Sequence, residues 1–135
     1  MLLLLVFALF SCNTAVPMTS ASSDSTPRIE VTTDGGFAGR GLGSVTIDGR
    51  SITAKDLART CTGELTTHEQ EAIARAAASF KPSSDSPPAH PDQVGYTLTV
   101  GDESMSWHGE EAPKAAAPLF DAVWAARQRV LKGCT

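Results

Sequence analysis

Alternating apolar residues on both sides of a glycine-rich stretch constrain this chain more than any other feature. Ile29 and Val31 lie on one face of the first alternating segment. Val45 and Ile47 lie on one face of the second. A period of two is typical of strands with one buried face. The glycine-rich stretch TTDGGFAGRGLG, residues 32–43, separates them, so we expect an antiparallel strand pair joined by a glycine loop.

A turn signal follows the second segment. The dipeptide formed by Asp48 and Gly49 is typical of tight hairpin turns. It either folds RSIT, residues 50–53, back as a short third strand or simply ends the second strand.

A second hairpin is predicted near the middle of the chain. The segment GYTLTV places Tyr96, Leu98 and Val100 on one face. After a turn at residues 101–103, SMSWHG places Met105 and Trp107 on one face. This alternation predicts two more antiparallel strands.

Two segments have helical periodicity. In LTTHEQEAIARAAASF, residues 65–80, either Thr66 with Glu69 or Thr67 with Gln70 can form a capping box. The second helix is predicted in EEAPKAAAPLFDAVWAARQRVLKG, residues 110–133. The core-facing positions are expected to be Ile73, Ala76 or Ala77, Phe80, Leu119 or Phe120, Val123, Ala126 or Arg127, and Val130. The fold class is therefore α+β: a small antiparallel sheet of about four strands packed by two helices, in the order ββ-α-ββ-α.

The N-terminus indicates export. The apolar run MLLLLVFALF is too short to span a membrane and is typical of a signal peptide. The sequence around Cys12 resembles the lipobox of bacterial lipoproteins, which implies cleavage before Cys12 and its acylation. The alternative is ordinary secretion with cleavage within TAVPMTSA. We expect a signal peptide over residues 1–11, a Ser/Thr-rich tether over residues 12–27, and one domain over residues 28–135, anchored by lipid to a membrane of the bacterial cell envelope.

The cysteine count agrees with this organisation. The chain has three cysteines. If Cys12 carries lipid, Cys61 and Cys134 remain, and an exported protein can oxidise them to a disulfide. Two isolated cysteines make a weak metal site, so no metal site is predicted.

Several kinds of chemistry are not favoured by this sequence. The net charge is −4 and no basic patch is present, so nucleic acid is not expected as a partner. The glycine-rich stretch lacks the Lys-Ser/Thr of a phosphate-binding loop. His68, His90 and His108 are not spaced as zinc ligands, and no nucleophile-elbow motif is present. No catalytic residue, cofactor or small-molecule substrate is predicted.

The stretches IEVTTDGGFAG, ASF, GYTLTV and PLFDAVWAA together resemble emfourin, a family of small protein inhibitors of thermolysin-like metallopeptidases. The resemblance extends over residues 29–130, and GGFAG is its most specific part. It implies a cofactor-free fold of helices and sheet, and a non-enzymatic role in blocking a secreted or envelope metallopeptidase. The lipobox, tether and cysteine pair are departures from the soluble members. The alternative function is an envelope lipoprotein that acts as a binding or assembly module with no protease target.

The resemblance gives the glycine-rich stretch a role. A blocking protein presents a projecting loop to the concave cleft of a protease, and glycines let the backbone approach the partner closely. We therefore predict a partner contact with Phe37 as its apolar anchor. The alternative is that Phe37 folds back to cap the sheet. The predicted contact residues are Gly35, Gly36, Phe37, Ala38, Gly39 and Arg40.

Overall fold

The computed structural model describes residues 26–84 and 88–134. The predicted signal peptide, the predicted lipidation site Cys12 and most of the predicted tether lie outside the described residues. Within the two described stretches, no helix is long and apolar enough to cross a membrane.

The described residues form an α+β fold in which an open antiparallel sheet is packed by two helices. The strands are β1 (Ile29–Gly35), β2 (Ser44–Asp48), β3 (Ser51–Lys55), β4 (Thr60–Glu64), β5 (Val94–Val100) and β6 (Glu103–His108), and the helices are α1 (Thr67–Ala78) and α2 (Ala117–Gly133). The predicted fold class is confirmed. The predicted number of about four strands is wrong, because the sheet has six.

The two additional strands extend the first hairpin. The sheet order is β4-β3-β2-β1-β5-β6. Asp48 pairs with Ser51, so the turn at Gly49 does fold the chain back into a third strand. The fourth strand was not predicted, since Cys61 is its only buried apolar side chain. Gly63 is the next inward position of β4, and Val130 of α2 packs beside it.

One face of the sheet is apolar and is buried beneath the helices, and the described residues share one core there. Its buried side chains on the strands are Ile29, Val31, Val45, Ile47, Ile52, Ala54, Cys61, Tyr96, Leu98, Val100, Met105 and Trp107. The opposite face is polar. One cross-strand row on it consists of Thr62, Thr53, Thr46, Glu30, Thr99 and Ser104. Burial on one face explains the period of two in the sequence.

Both helices form within their predicted segments, but each is shorter than predicted: α1 ends at Ala78, and α2 begins only at Ala117. α1 begins with a capping box, in which Thr66 Oγ1 accepts from the Glu69 amide and the Glu69 carboxylate accepts from the Thr66 amide. α2 packs against α1 and against β2, β3 and β4. The buried residues of α2 are Leu119, Phe120, Val123, Ala126, Arg127, Val130 and Leu131.

The predicted disulfide is confirmed. Cys61 of β4 is bonded to Cys134, which follows α2, at an S–S distance of 2.08 Å. The Arg59 guanidinium also donates to the Cys134 carbonyl over 2.6 Å. The bridge therefore holds the end of α2 against the edge strand of the sheet.

Candidate functional site

Four connections lie together at one end of the sheet, which we call the loop end. Pairing of Ser44 with Lys55 places the β1–β2 loop, residues 36–43, beside the β3–β4 turn, residues 56–59. Pairing of Gly35 with Val94 places the segment that precedes β5 at the same end of the sheet, and β6 ends there as well. Among the described residues, the exposed large apolar side chains are Phe37, Leu42 and Leu57. All three belong to connections at the loop end.

Phe37 lies at the tip of the β1–β2 loop, which we call the glycine loop. The Gly39 amide donates to the Gly36 carbonyl over 2.9 Å, which makes Phe37 and Ala38 the central residues of a tight turn. Phe37 is 99% exposed. The alternative in which Phe37 caps the sheet is therefore wrong.

Local hydrogen bonds hold the base of the glycine loop. Thr33 Oγ1 donates to the Gly43 carbonyl over 2.6 Å and accepts from the Leu42 amide over 2.7 Å. The Gly41 amide donates to the Gly35 carbonyl over 2.9 Å, and the Gly36 amide donates to the Gln93 carbonyl over 3.2 Å. These bonds give the loop a defined conformation although it is rich in glycine.

Two positions of this loop can be occupied only by glycine. Gly41 has a φ of +64°, and a Cβ there would lie 2.6 Å from the Thr33 carbonyl oxygen. Gly43 has a φ of +101°, and its Cβ would overlap the Lys55 carbonyl oxygen. Left-handed backbone and close approach together restrict both positions to glycine.

Arg127 of α2 connects the glycine loop to the core. Its side chain is only 3% exposed. Its guanidinium donates through Nη2 to the carbonyls of Leu42 and Lys55, each over 2.6 Å, and through Nε to the Ser44 carbonyl over 3.2 Å. The guanidinium also lies 4.2 Å from the centre of the Trp124 ring. Burial lowers the pKa of Arg127, but an arginine remains charged at neutral pH.

Sequence reasoning placed Arg127 only as an alternative to Ala126 on the buried stripe of α2. It did not identify the contact between Arg127 and the glycine loop. The available signal was a lone arginine at a core-facing helical position, which in a folded protein requires acceptors. The identity of those acceptors depends on tertiary structure, because they lie 72–85 residues away in sequence.

A second turn at the loop end presents another apolar side chain. Asp56 Oδ1 accepts from the amides of Ala58 and Arg59, over 2.8 and 2.9 Å. These bonds lower the pKa of Asp56. Leu57, in the same turn, is 63% exposed.

Leu42 lines two cavities that differ in the charge of their other lining side chains. The first, of about 310 Å³, is lined by Leu42, Asp92, Gln93, Val94, Tyr96, Gly109 and Glu110. The second, of about 320 Å³, is lined by Leu42, Asp56, Arg59, Trp124, Arg127, Gln128, Leu131 and Lys132. The charged side chains that line the first cavity are carboxylates, whereas most of the charged side chains that line the second are cationic.

The structure brings the predicted contact residues together in one place. Gly35 ends β1, and residues 36–40 form the first half of the glycine loop. Arg40 is exposed and forms an isolated bridge with Gly35. Cys61 and Cys134 are not part of this loop, because they join β4 to the end of α2.

The histidines named in the sequence are all exposed and lie in different elements: His68 in α1, His90 before β5, and His108 at the end of β6. In residues 26–84 and 88–134, no group of three or more His, Cys, Asp or Glu side chains could hold a metal ion.

Comparison with known proteins gives no identification. No family model, no curated protein and no solved structure matches this chain.

Proposed function

We propose that this protein is a non-enzymatic inhibitor of a thermolysin-like metallopeptidase, which it contacts through the loop end of its sheet. The observation that carries the proposal is the full exposure of Phe37 at the tip of the glycine loop. Exposing a phenylalanine to water gives the isolated domain no burial energy. A partner surface that covers Phe37 would recover that energy, at about 25 cal/mol per Å² of apolar area.

The fixed conformation of the glycine loop also supports binding to a partner. Hydrogen bonds from Thr33, Gly39 and Gly41 fix its shape before any partner arrives. A preordered loop loses less conformational entropy on binding. In a protease cleft, a loop held in this way resists the backbone rearrangement that cleavage requires. The resemblance to emfourin in residues 29–130 supplies the class of partner.

Leu42 and Leu57 give the proposed interface more than one apolar contact. Leu42 is 43% exposed and follows the tip in the same loop. Leu57 belongs to the neighbouring turn, which Asp56 fixes. Interfaces are typically anchored by a few such side chains.

The cellular setting of this proposal follows from the N-terminus. We propose that Cys12 is acylated and that the tether holds the domain outside a membrane of the bacterial cell envelope. The partner is then a secreted or envelope peptidase. Inhibition requires no cofactor, nucleic acid or small-molecule substrate.

Titration against a panel of purified thermolysin-like metallopeptidases tests the proposal. We expect stoichiometric inhibition of at least one of them and no cleavage of the glycine loop, which mass spectrometry of the incubated protein would check. Full activity of every peptidase at saturating protein would overturn the inhibitor proposal. The alternative of an envelope binding module would then be preferred.

A further inference from the structure

The cavity of about 320 Å³ at the loop end, which we call the cationic cavity, is lined by the one charged residue that is buried among the described residues, Arg127. We propose that this cavity binds the carboxylate of an aspartate or glutamate side chain of the protein partner. The identity of that partner rests on the proposed function, but carboxylate binding itself can be tested without a peptidase.

Arg127 carries a buried positive charge that has no ion pair. It is 3% exposed, and its three hydrogen bonds all go to neutral backbone carbonyls. The described residues form three ion pairs, and Arg127 belongs to none of them. Buried charges in folded proteins are usually paired, because removing an ion from water is costly. An anion beside Arg127 would supply the missing partner.

One nitrogen of Arg127 remains available to such an anion. Nε and Nη2 donate to the carbonyls of Leu42, Ser44 and Lys55, and Nη1 takes part in none of these bonds. Nη1 is not fully buried either, since Trp107 Nε1 is the one fully buried side-chain nitrogen or oxygen of the described residues that lacks a partner. The N–H groups of Nη1 are therefore free to donate at the surface of the cavity that Arg127 lines.

The other charged groups of the cationic cavity also favour an anion. Asp56 and Arg59 pair with each other over 3.4 Å, so together they add no net charge. Lys132, in the last turn of α2, is exposed and belongs to no ion pair of the described residues. Burial lowers the pKa of Arg127, and the charge of Asp56 opposes this effect only in part. The lining therefore has an excess of positive charge, which attracts an anion.

The apolar walls favour a carboxylate on a short carbon chain over an inorganic anion. Leu42, Trp124 and Leu131 line the cavity beside the charged groups. Apolar walls stabilise methylene groups that leave water, and a guanidinium forms charge-assisted hydrogen bonds with a carboxylate. The volume of about 320 Å³ is near the lower limit of ligand cavities, which is roughly 300 Å³. These properties together fit one acidic side chain.

The cationic cavity adjoins the proposed contact surface. Leu42 belongs to the glycine loop as well as to the cavity wall, and Asp56 and Arg59 belong to the same turn as the exposed Leu57. A partner that covers Leu42 and Leu57 would therefore bring its own side chains next to the cavity. The class of partner is narrowed to a protein with an acidic residue beside an apolar surface.

A small probe tests the cationic cavity without a peptidase. The full-length, ¹⁵N-labelled protein in detergent micelles is titrated at constant ionic strength with Nα-acetyl-glutamate α-amide, and with the uncharged Nα-acetyl-glutamine amide as a control. We expect saturable shifts of the Arg127 Nε–H signal and of the Leu42 and Lys132 amides, with a Kd of about 10 mM. The glutamine probe should bind at least about tenfold more weakly, because it lacks the charge. Inorganic phosphate should also bind more weakly than the glutamate probe, because it has no apolar part.

Two lysine variants locate the binding groups. Lys132→Gln should weaken binding of the glutamate probe by about threefold. Lys114→Gln should have no effect, because Lys114 is an exposed lysine that does not line this cavity. The contribution of Arg127 is measured in the unsubstituted protein from its Nε–H signal, since Arg127 also stabilises the fold. For a peptidase that the protein inhibits, Lys132→Gln should raise the inhibition constant by about threefold, and Lys114→Gln should leave it unchanged.

Four results would overturn the proposal: equal binding of the glutamate and glutamine probes, tighter binding of phosphate, an Arg127 signal that does not move, or the same effect of both lysine variants. Failure of the glutamate probe to bind would leave the inhibitor proposal standing. Failure to inhibit any peptidase would leave the carboxylate site standing and would remove only the peptidase as its partner. The two failures are therefore distinguishable.

Discussion

At the scale of single residues, Arg127 links α2 to two strands and to the glycine loop. Three carbonyls from β2, β3 and the glycine loop depend on one guanidinium. Without it, these buried or half-buried acceptors lose their partner, and each such loss costs on the order of 1–3 kcal/mol. The same bonds hold the Leu42 end of the glycine loop, so Arg127 positions the contact surface through the backbone.

We therefore predict that Arg127→Met lowers the free energy of unfolding by about 2 kcal/mol or more. Denaturant unfolding would measure the change. Gln128→Met is the matched control, since Gln128 is exposed on the same helix and should tolerate the substitution. An Arg127→Met variant as stable as the control would show that the carbonyls do not need this donor.

A second residue with a predictable effect is Glu69. Its carboxylate accepts from Arg129 over 2.6 and 2.7 Å and from the Thr66 amide over 2.9 Å. The hydrogen bond from Arg129, followed by that from Thr66, lowers the pKa of Glu69 below its usual 4.5. A carboxylate with a lowered pKa in the folded state stabilises the fold above its unfolded pKa, and this contribution is lost as the pH falls through the folded value.

We expect Glu69→Gln, which removes the charge paired with Arg129, to cost up to about 1 kcal/mol at neutral pH, and the cost to shrink progressively below pH 4.5. Unfolding curves measured from neutral pH downward would show this convergence. Glu71→Gln on the same helix is the control and should have little effect at any pH. A cost for Glu69→Gln that does not depend on pH would contradict the assigned role.

At the scale of secondary structure, the disulfide determines how firmly the edge strand β4 and the end of α2 are held. The bridge joins residues 73 positions apart. In the chain-entropy model a loop of this length stabilises the folded state by about 4 kcal/mol. β4 contributes little apolar burial of its own, so it should depend on this link.

Reduction should therefore lower the free energy of unfolding by about 4 kcal/mol, measured by denaturant unfolding with and without a reductant. The double variant Cys61→Ala/Cys134→Ala is the control, and its stability should not respond to the reductant. Mass spectrometry of the unreduced, digested protein should recover the two cysteines in one linked peptide pair. Recovery of both as free thiols would contradict the bridge.

The elements also show how far the sequence could predict this fold. Both hairpins and both helices were predicted because their apolar residues recur at one clear period. β4 was not, because Cys61 and the inward Gly63 leave too little alternation to recognise. The contact of Arg127 with the glycine loop could not be derived from sequence, and the choice between Phe37 as an exposed contact and Phe37 as a cap on the sheet was left open. Both depend on which distant residues meet when the sheet and α2 pack.

At the scale of the whole molecule, the two faces and the loop end of the sheet differ in polarity, and this difference supports the proposed function. One face is buried by the helices, the other carries hydroxyl groups, and the exposed large apolar side chains of the described residues belong to the loop end. An anchored domain of this kind would present one end to its partner. Most of the predicted tether, which would set its distance from the membrane, lies outside the described residues.

Anchoring is tested on the intact protein. We predict that the full-length chain, expressed in a bacterium that processes lipoproteins, partitions into the detergent phase, and that Cys12→Ser moves it to the aqueous phase. Acyl chains on Cys12 would account for this difference, because each buried methylene contributes about 0.8 kcal/mol. Recovery of the unsubstituted protein in the aqueous phase would disprove lipidation.

The measurement that tests the central claim most directly is made on Phe37→Ala, with inhibition and thermal unfolding recorded on the same preparation. Because Phe37 is fully exposed, its truncation should leave the melting temperature nearly unchanged. It should weaken inhibition of the target peptidase by about 2 kcal/mol or more, which is about 30-fold in the inhibition constant. Unchanged inhibition by Phe37→Ala, or a large fall in its melting temperature, would contradict the claim that this side chain contacts the peptidase and is not packed against the fold.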